Sequence, residues 1–75
     1  MTYEAFMFHI PAECKVVADN NRFMMFELDG ILFCYYFVDF DLRKYDKGVA
    51  VSSKIYIGHE KALEAIRDLV EVSKL

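Results

Sequence analysis

Seventy-five residues, 56% of them hydrophobic, make a single domain over residues 1–75 with enough apolar mass for a core, which excludes a disordered chain. Twelve acidic against nine basic side chains leave a net charge of −3, so the chain lacks the field that draws proteins to nucleic acid or anionic lipid. Two cysteines are too few for a disulfide framework, and no apolar run reaches the roughly 18–20 residues of a membrane span.

At the N-terminus, Glu4 stands where a signal peptide carries Lys or Arg, so the chain reads as a complete, unexported, cytoplasmic protein with reduced thiols. Tyr3–Ile10 alternates weakly and leaves strand and helix both open, while Pro11 is placed to begin a short helix over Pro11–Cys14. The alternative for Cys14 onward is a strand, Cys14–Asp19, turned by Asn20-Asn21 onto the strand that follows.

Asp29-Gly30 is the strongest hairpin signal, because a two-residue type I′ turn needs positive φ at both positions. It joins Phe23–Leu28 to a strand read as continuous over Ile31–Leu42, and sets Leu28 against Ile31, Phe26 against Phe33, Met24 against Tyr35, Met25 against Cys34 and Phe23 against Tyr36. A four-residue turn, Tyr45-Asp46-Lys47-Gly48, leads to a half-buried strand over Val49–Ile57. Its expected register brings Leu42 to Val51, Val38 to Ile55, Phe37 to Tyr56 and Asp39 to Lys54. From His59 the period changes to that of an amphipathic helix, with Ala62, Leu63, Ile66, Leu69, Val70 and Ser73 on one side and Glu64, Arg67, Asp68, Glu71 and Lys74 opposite.

The expected fold is therefore α+β, an antiparallel β-meander of three to five strands with a C-terminal amphipathic α-helix packed on one face. The helix is expected on the face of Phe23, Met25, Leu32, Cys34, Tyr36, Val38, Phe40, Leu42, Val49, Val51, Ile55 and Ile57. The other face carries Met24, Phe26, Leu28, Ile31, Phe33, Tyr35, Phe37 and Tyr56, turns polar at Asp39, Asp41, Ser52 and Lys54, and has no assigned cover.

Chemistry finds little support. His9, Cys14, Cys34 and His59 are zinc-ligand types without paired spacing, and the register sets the two cysteines two strands apart, about 9.6 Å, too far for a disulfide. Asp39 and Asp41 would share a strand face at about 6.7 Å, with no convergent His or third carboxylate. Ser52, Ser53 and Cys34 lack a base, and Gly30, Gly48 and Gly58 are isolated rather than part of a phosphate loop. No enzyme, metal or cofactor is expected.

The expectation is a small protein-binding module, an inhibitor or regulator, that docks another protein through Met24, Phe26, Leu28, Ile31, Phe33, Tyr35, Phe37 and Tyr56. A phage-encoded inhibitor of a host defence system or enzyme belongs to that class by analogy of size and charge alone. Self-association into a homodimer through the same face follows from its lack of cover, and an obligate structural homodimer is one alternative. The other is single-stranded nucleic acid stacked on Phe33, Tyr35, Phe37 and Tyr56 beside Arg43, Lys44, Lys47 and Lys54, which the negative net charge disfavours.

Overall fold

The computed structural model describes residues 1–75, in the order α1 (Tyr3–Phe8), β1 (Lys15–Asp19), β2 (Phe23–Leu28), β3 (Ile31–Tyr36), β4 (Asp41–Asp46), β5 (Val49–Ile55) and α2 (His59–Ser73). The five strands form one antiparallel sheet in chain order, a meander followed by the C-terminal helix. The α+β arrangement is the expected one.

Local chemistry accounts for each junction. Asp29 and Gly30 sit at φ 54° and 79°, the left-handed pair a type I′ turn demands, and the β2–β3 register is the one the turn dictates from Leu28–Ile31 to Phe23–Tyr36. Asn20 Oδ1 accepts from the amides of Arg22 and Phe23, both at 3.1 Å, and folds β1 back onto β2. Residues 3–8 are helical: Thr2 caps α1 by accepting from the Ala5 amide, and the Tyr3 hydroxyl donates to the Phe23 carbonyl. Pro11–Cys14 forms a turn rather than a helix, closed by the Cys14 amide on the Pro11 carbonyl.

Ile31–Leu42 is not one strand. The chain turns over residues 37–40, with Phe40 at φ 56°, and β4 returns with Tyr36 opposite Asp41 and Tyr35 opposite Leu42. A left-handed aromatic residue is unfavourable by about 1–2 kcal/mol. Tertiary contacts hold it there: Phe40 stacks on His59 at 4.3 Å between centroids, and its carbonyl accepts from the Tyr56 amide.

The next turn is the two residues Lys47-Gly48, at φ 52° and 81°, not the four expected. Asp46 therefore meets Val49 and Tyr45 meets Ala50, then Val51 bulges out and Lys44 pairs with Ser52, Leu42 with Lys54 and Asp41 with Ile55. The expected pairs Leu42–Val51, Val38–Ile55, Phe37–Tyr56 and Asp39–Lys54 do not form. As the outer edge strand, β5 is exposed at all seven positions instead of half-buried.

Turning at residues 37–40 reverses the phase of everything beyond Tyr36, and this decides which face the helix takes. Leu42 joins Phe33 and Tyr35, while Asp41 and Arg43 join Cys34 and Tyr36. Burying the second set under a helix would desolvate both charges, so α2 packs on the first. Its Ala62, Leu63, Ile66 and Val70 close a core with Phe6, Cys14, Met24, Phe26, Leu28, Phe33, Tyr35 and Leu42. The buried side of α2 is the expected one; the sheet face beneath it is the opposite one.

Candidate functional site

Five of the residues expected to meet a partner are core: Met24, Phe26 and Tyr35 are wholly buried, and Leu28 and Phe33 nearly so. Phe37 and Tyr56 pack half-buried against them, and only Ile31, beside the first hairpin turn, is exposed. The structure brings the set together, but as the layer under α1 and α2. That removes the expected docking face, the self-association drawn from it, and the stacking platform of Phe33, Tyr35, Phe37 and Tyr56. One sheet face does lack a helix, and it is the reverse side.

On that side the register groups Phe23, Met25 and Glu27 of β2, Leu32, Cys34 and Tyr36 of β3, Asp41, Arg43 and Tyr45 of β4, and Ser53 and Ile55 of β5. Most are half-buried by their neighbours alone, whereas Cys34 and Asp41 are only 2% and 5% exposed. A buried carboxylate is tolerated when both oxygens are bonded. Asp41 Oδ2 accepts from Arg43 Nε at 2.9 Å and Oδ1 from the Ser53 hydroxyl at 2.7 Å.

Held by Asp41, the Arg43 guanidinium lies over the Tyr36 ring, 4.7 Å from its centroid. The Tyr36 and Tyr45 hydroxyls share a hydrogen bond of 3.1 Å, and that bond together with burial pushes the Tyr36 phenol well above its usual range. Burial pushes the Cys34 thiol up as well, against the hydrogen bond from Tyr36. Cys34 thus holds its proton and is a poor nucleophile.

No imidazole stands beside Ser53 or Cys34. His59 is on the helix side, stacked on Phe37 and Phe40, with its Nδ1 bonded to the Tyr35 hydroxyl at 2.7 Å. The expected aspartate pair is split: Asp39 is exposed in the turn and Asp41 is buried in β4. No group of three or more His, Cys, Asp or Glu side chains is placed to share a metal ion, and both cysteines are free. No helix is long and apolar enough to cross a membrane.

The arrangement offers a preorganised arginine and two tyrosines in a flat, partly apolar field. Of this group the sequence offers Asp41 with Asp39, Ser53 as a nucleophile and Arg43 as part of a phosphate edge, but it brings none of them together and marks neither Tyr36 nor Tyr45 as a site residue. The signal was the alternation Asp41-Leu42-Arg43-Lys44-Tyr45-Asp46, legible only once Asp39-Phe40 is read as a turn. Comparison with protein-family models, with curated proteins and with solved structures finds no match for the chain.

Proposed function

We propose that this chain is a protein-binding module, acting as an inhibitor or regulator, whose contact surface is the open sheet face around Tyr36, Arg43 and Tyr45. The observation that carries this reading is an arginine held by Asp41 over the ring of Tyr36, whose hydroxyl is bonded to that of Tyr45, on a face no helix covers. Tyrosine and arginine dominate binding hot spots, and side chains already held in place lose little entropy on docking. Phe23, Met25 and Leu32 supply apolar surround, with Met25 adaptable in shape.

The sheet edges are less suited to the task. β1 and β5 each carry a bulge near the middle, at Val17 and Val51, which interrupts the row of backbone groups a partner strand would pair with. Nucleic acid is disfavoured by Glu27 and Asp41 on the face and by the net charge of −3.

The test compares captures from lysate of the producing cells by the unsubstituted chain, Tyr45→Ala, Met25→Ala and the helix-side control Glu71→Ala. A single protein held by the unsubstituted chain and by Glu71→Ala should bind Tyr45→Ala about thirtyfold more weakly, the 2 kcal/mol of a hot-spot residue. Retention at full strength by both face variants, with melting curves unchanged, overturns the assignment of this surface.

A further inference from the structure

The helix side of the sheet is not fully covered, and the geometry points to a second docking site there: the groove between α2 and the β4–β5 hairpin takes an acidic amphipathic helix of a partner protein. Its volume is about 780 Å³, with Phe33 and Leu42 in the floor and Leu69 and Val72 along the α2 wall. It lies across the sheet from the surface proposed above and stands independently of it.

Dimensions argue for a helix. Five strands spaced 4.7–4.9 Å apart make a sheet about 19 Å wide, and α1 and α2 share this face, yet Lys44, Ser52 and Lys54 stay exposed, so the strip over β4 and β5 is bare, and a helix about 10 Å across spans two strands. On its other flank α2 abuts the segment after α1, where Lys74 Nζ meets Glu13 Oε2 at 2.9 Å, so the vacant width is the one over β4 and β5. The helix-side residues there are Leu42 and Lys44 of β4 with Ser52 and Lys54 of β5.

Charge sets the sign of the occupant. Lys44 and Lys54 line the sheet wall, and neither is ion-paired. Leu42 opposes Lys54 and Lys44 opposes Ser52, which leaves the two lysines on a diagonal, somewhat less than about 7–8 Å apart at Cβ. Carboxylates one turn apart on a docked helix, about 5–6 Å apart at Cβ, span that diagonal through their flexible side chains. On the α2 wall Lys61 is already bonded to Glu64 at 3.5 Å and Asp68 has no ion-pair partner, so the free positive charge lies on the β5 side and the free negative charge on the α2 side. A helix with its apolar stripe on Leu42, Leu69 and Val72, its acidic flank toward β5 and an uncharged polar flank toward Asp68 satisfies both walls.

Two synthetic peptides of about 14 residues, long enough for a short helix, test this with the full chain by fluorescence anisotropy. Both carry one leucine stripe with Gln along one flank; the other flank is Glu in one peptide and Lys in the other. The Glu peptide should bind at least about tenfold tighter than the Lys peptide and weaken as salt is added, and the order should reverse on the double variant Lys44→Glu, Lys54→Glu. Val72→Asp should weaken both, and because Val72 is 65% exposed the fold tolerates the change. Equal binding of the two peptides, binding of neither, indifference to Val72→Asp, or light scattering showing a dimer that Val72→Asp dissolves would each overturn the proposal.

Discussion

Asp41 and His59 are the two side chains whose environments make the sharpest demands. Asp41 is buried on an otherwise open face, and Arg43 supplies one of its two bonds. Arg43→Met keeps the stem over Tyr36 and removes the charge. Because the guanidinium is 41% exposed and screened, the change should cost about 1–2 kcal/mol in urea unfolding, less than a fully buried pair. His59 is pushed down from its usual range by burial first and by the Met1 ammonium second, with Tyr35 facing it from β3 and Glu60 beside it on α2. The unfolded chain takes up the His59 proton near pH 6.5 while the folded chain resists it, so stability conferred by neutral His59 is complete above that pH and falls away as pH drops below it. Urea midpoints between pH 7.5 and 5 should decline for the unsubstituted chain and flatten for His59→Phe; equal slopes would show that another group titrates.

At the scale of elements, what could be read from the sequence depended on whether a signal was local. Asp29-Gly30 specifies its own turn, so the β2–β3 register was legible residue by residue. The period of α2 was legible too, because Ala62, Leu63, Ile66 and Val70 recur on one helical side whatever they pack against. The Phe37–Phe40 turn was not, since no Gly, Pro or Asn marks it and the stacking that stabilises it comes from His59, nineteen positions after Phe40. That one missed turn exchanged the two sheet faces beyond β3 and set the expected helix on the wrong face. The Val51 bulge was equally hidden, because a bulge changes pairing without requiring a distinctive residue. Two outcomes check these elements. Ile66→Ala should cost about 2–5 kcal/mol as a buried truncation, whereas Lys47→Asn should stabilise by about 0.5–1 kcal/mol by placing a left-handed-tolerant residue at φ 52°.

Taken whole, the molecule closes its core without help. Its radius of gyration is 11.3 Å, against about 11.3 Å expected for a self-contained domain of this length. Its accessible surface of 4977 Å² is close to the roughly 4800 Å² expected for 8.8 kDa. A chain of these dimensions buries its core within one copy, so its thermal midpoint should not move between low and high micromolar concentration; a midpoint that climbs with concentration would mark an obligate dimer.

The two cysteines stand in different layers: Cys14 belongs to the cluster beneath α2, and Cys34 lies on the reverse side behind Tyr36. Burial raises both thiols, Cys14 to about 11, so alkylating reagents meet little thiolate in the native protein. Peeling α2 from the sheet would bare Cys14 and leave Cys34 sheltered, whereas loss of the sheet would bare both. Each molecule thus carries a pair of chemical clocks that separate partial detachment of one layer from complete unfolding.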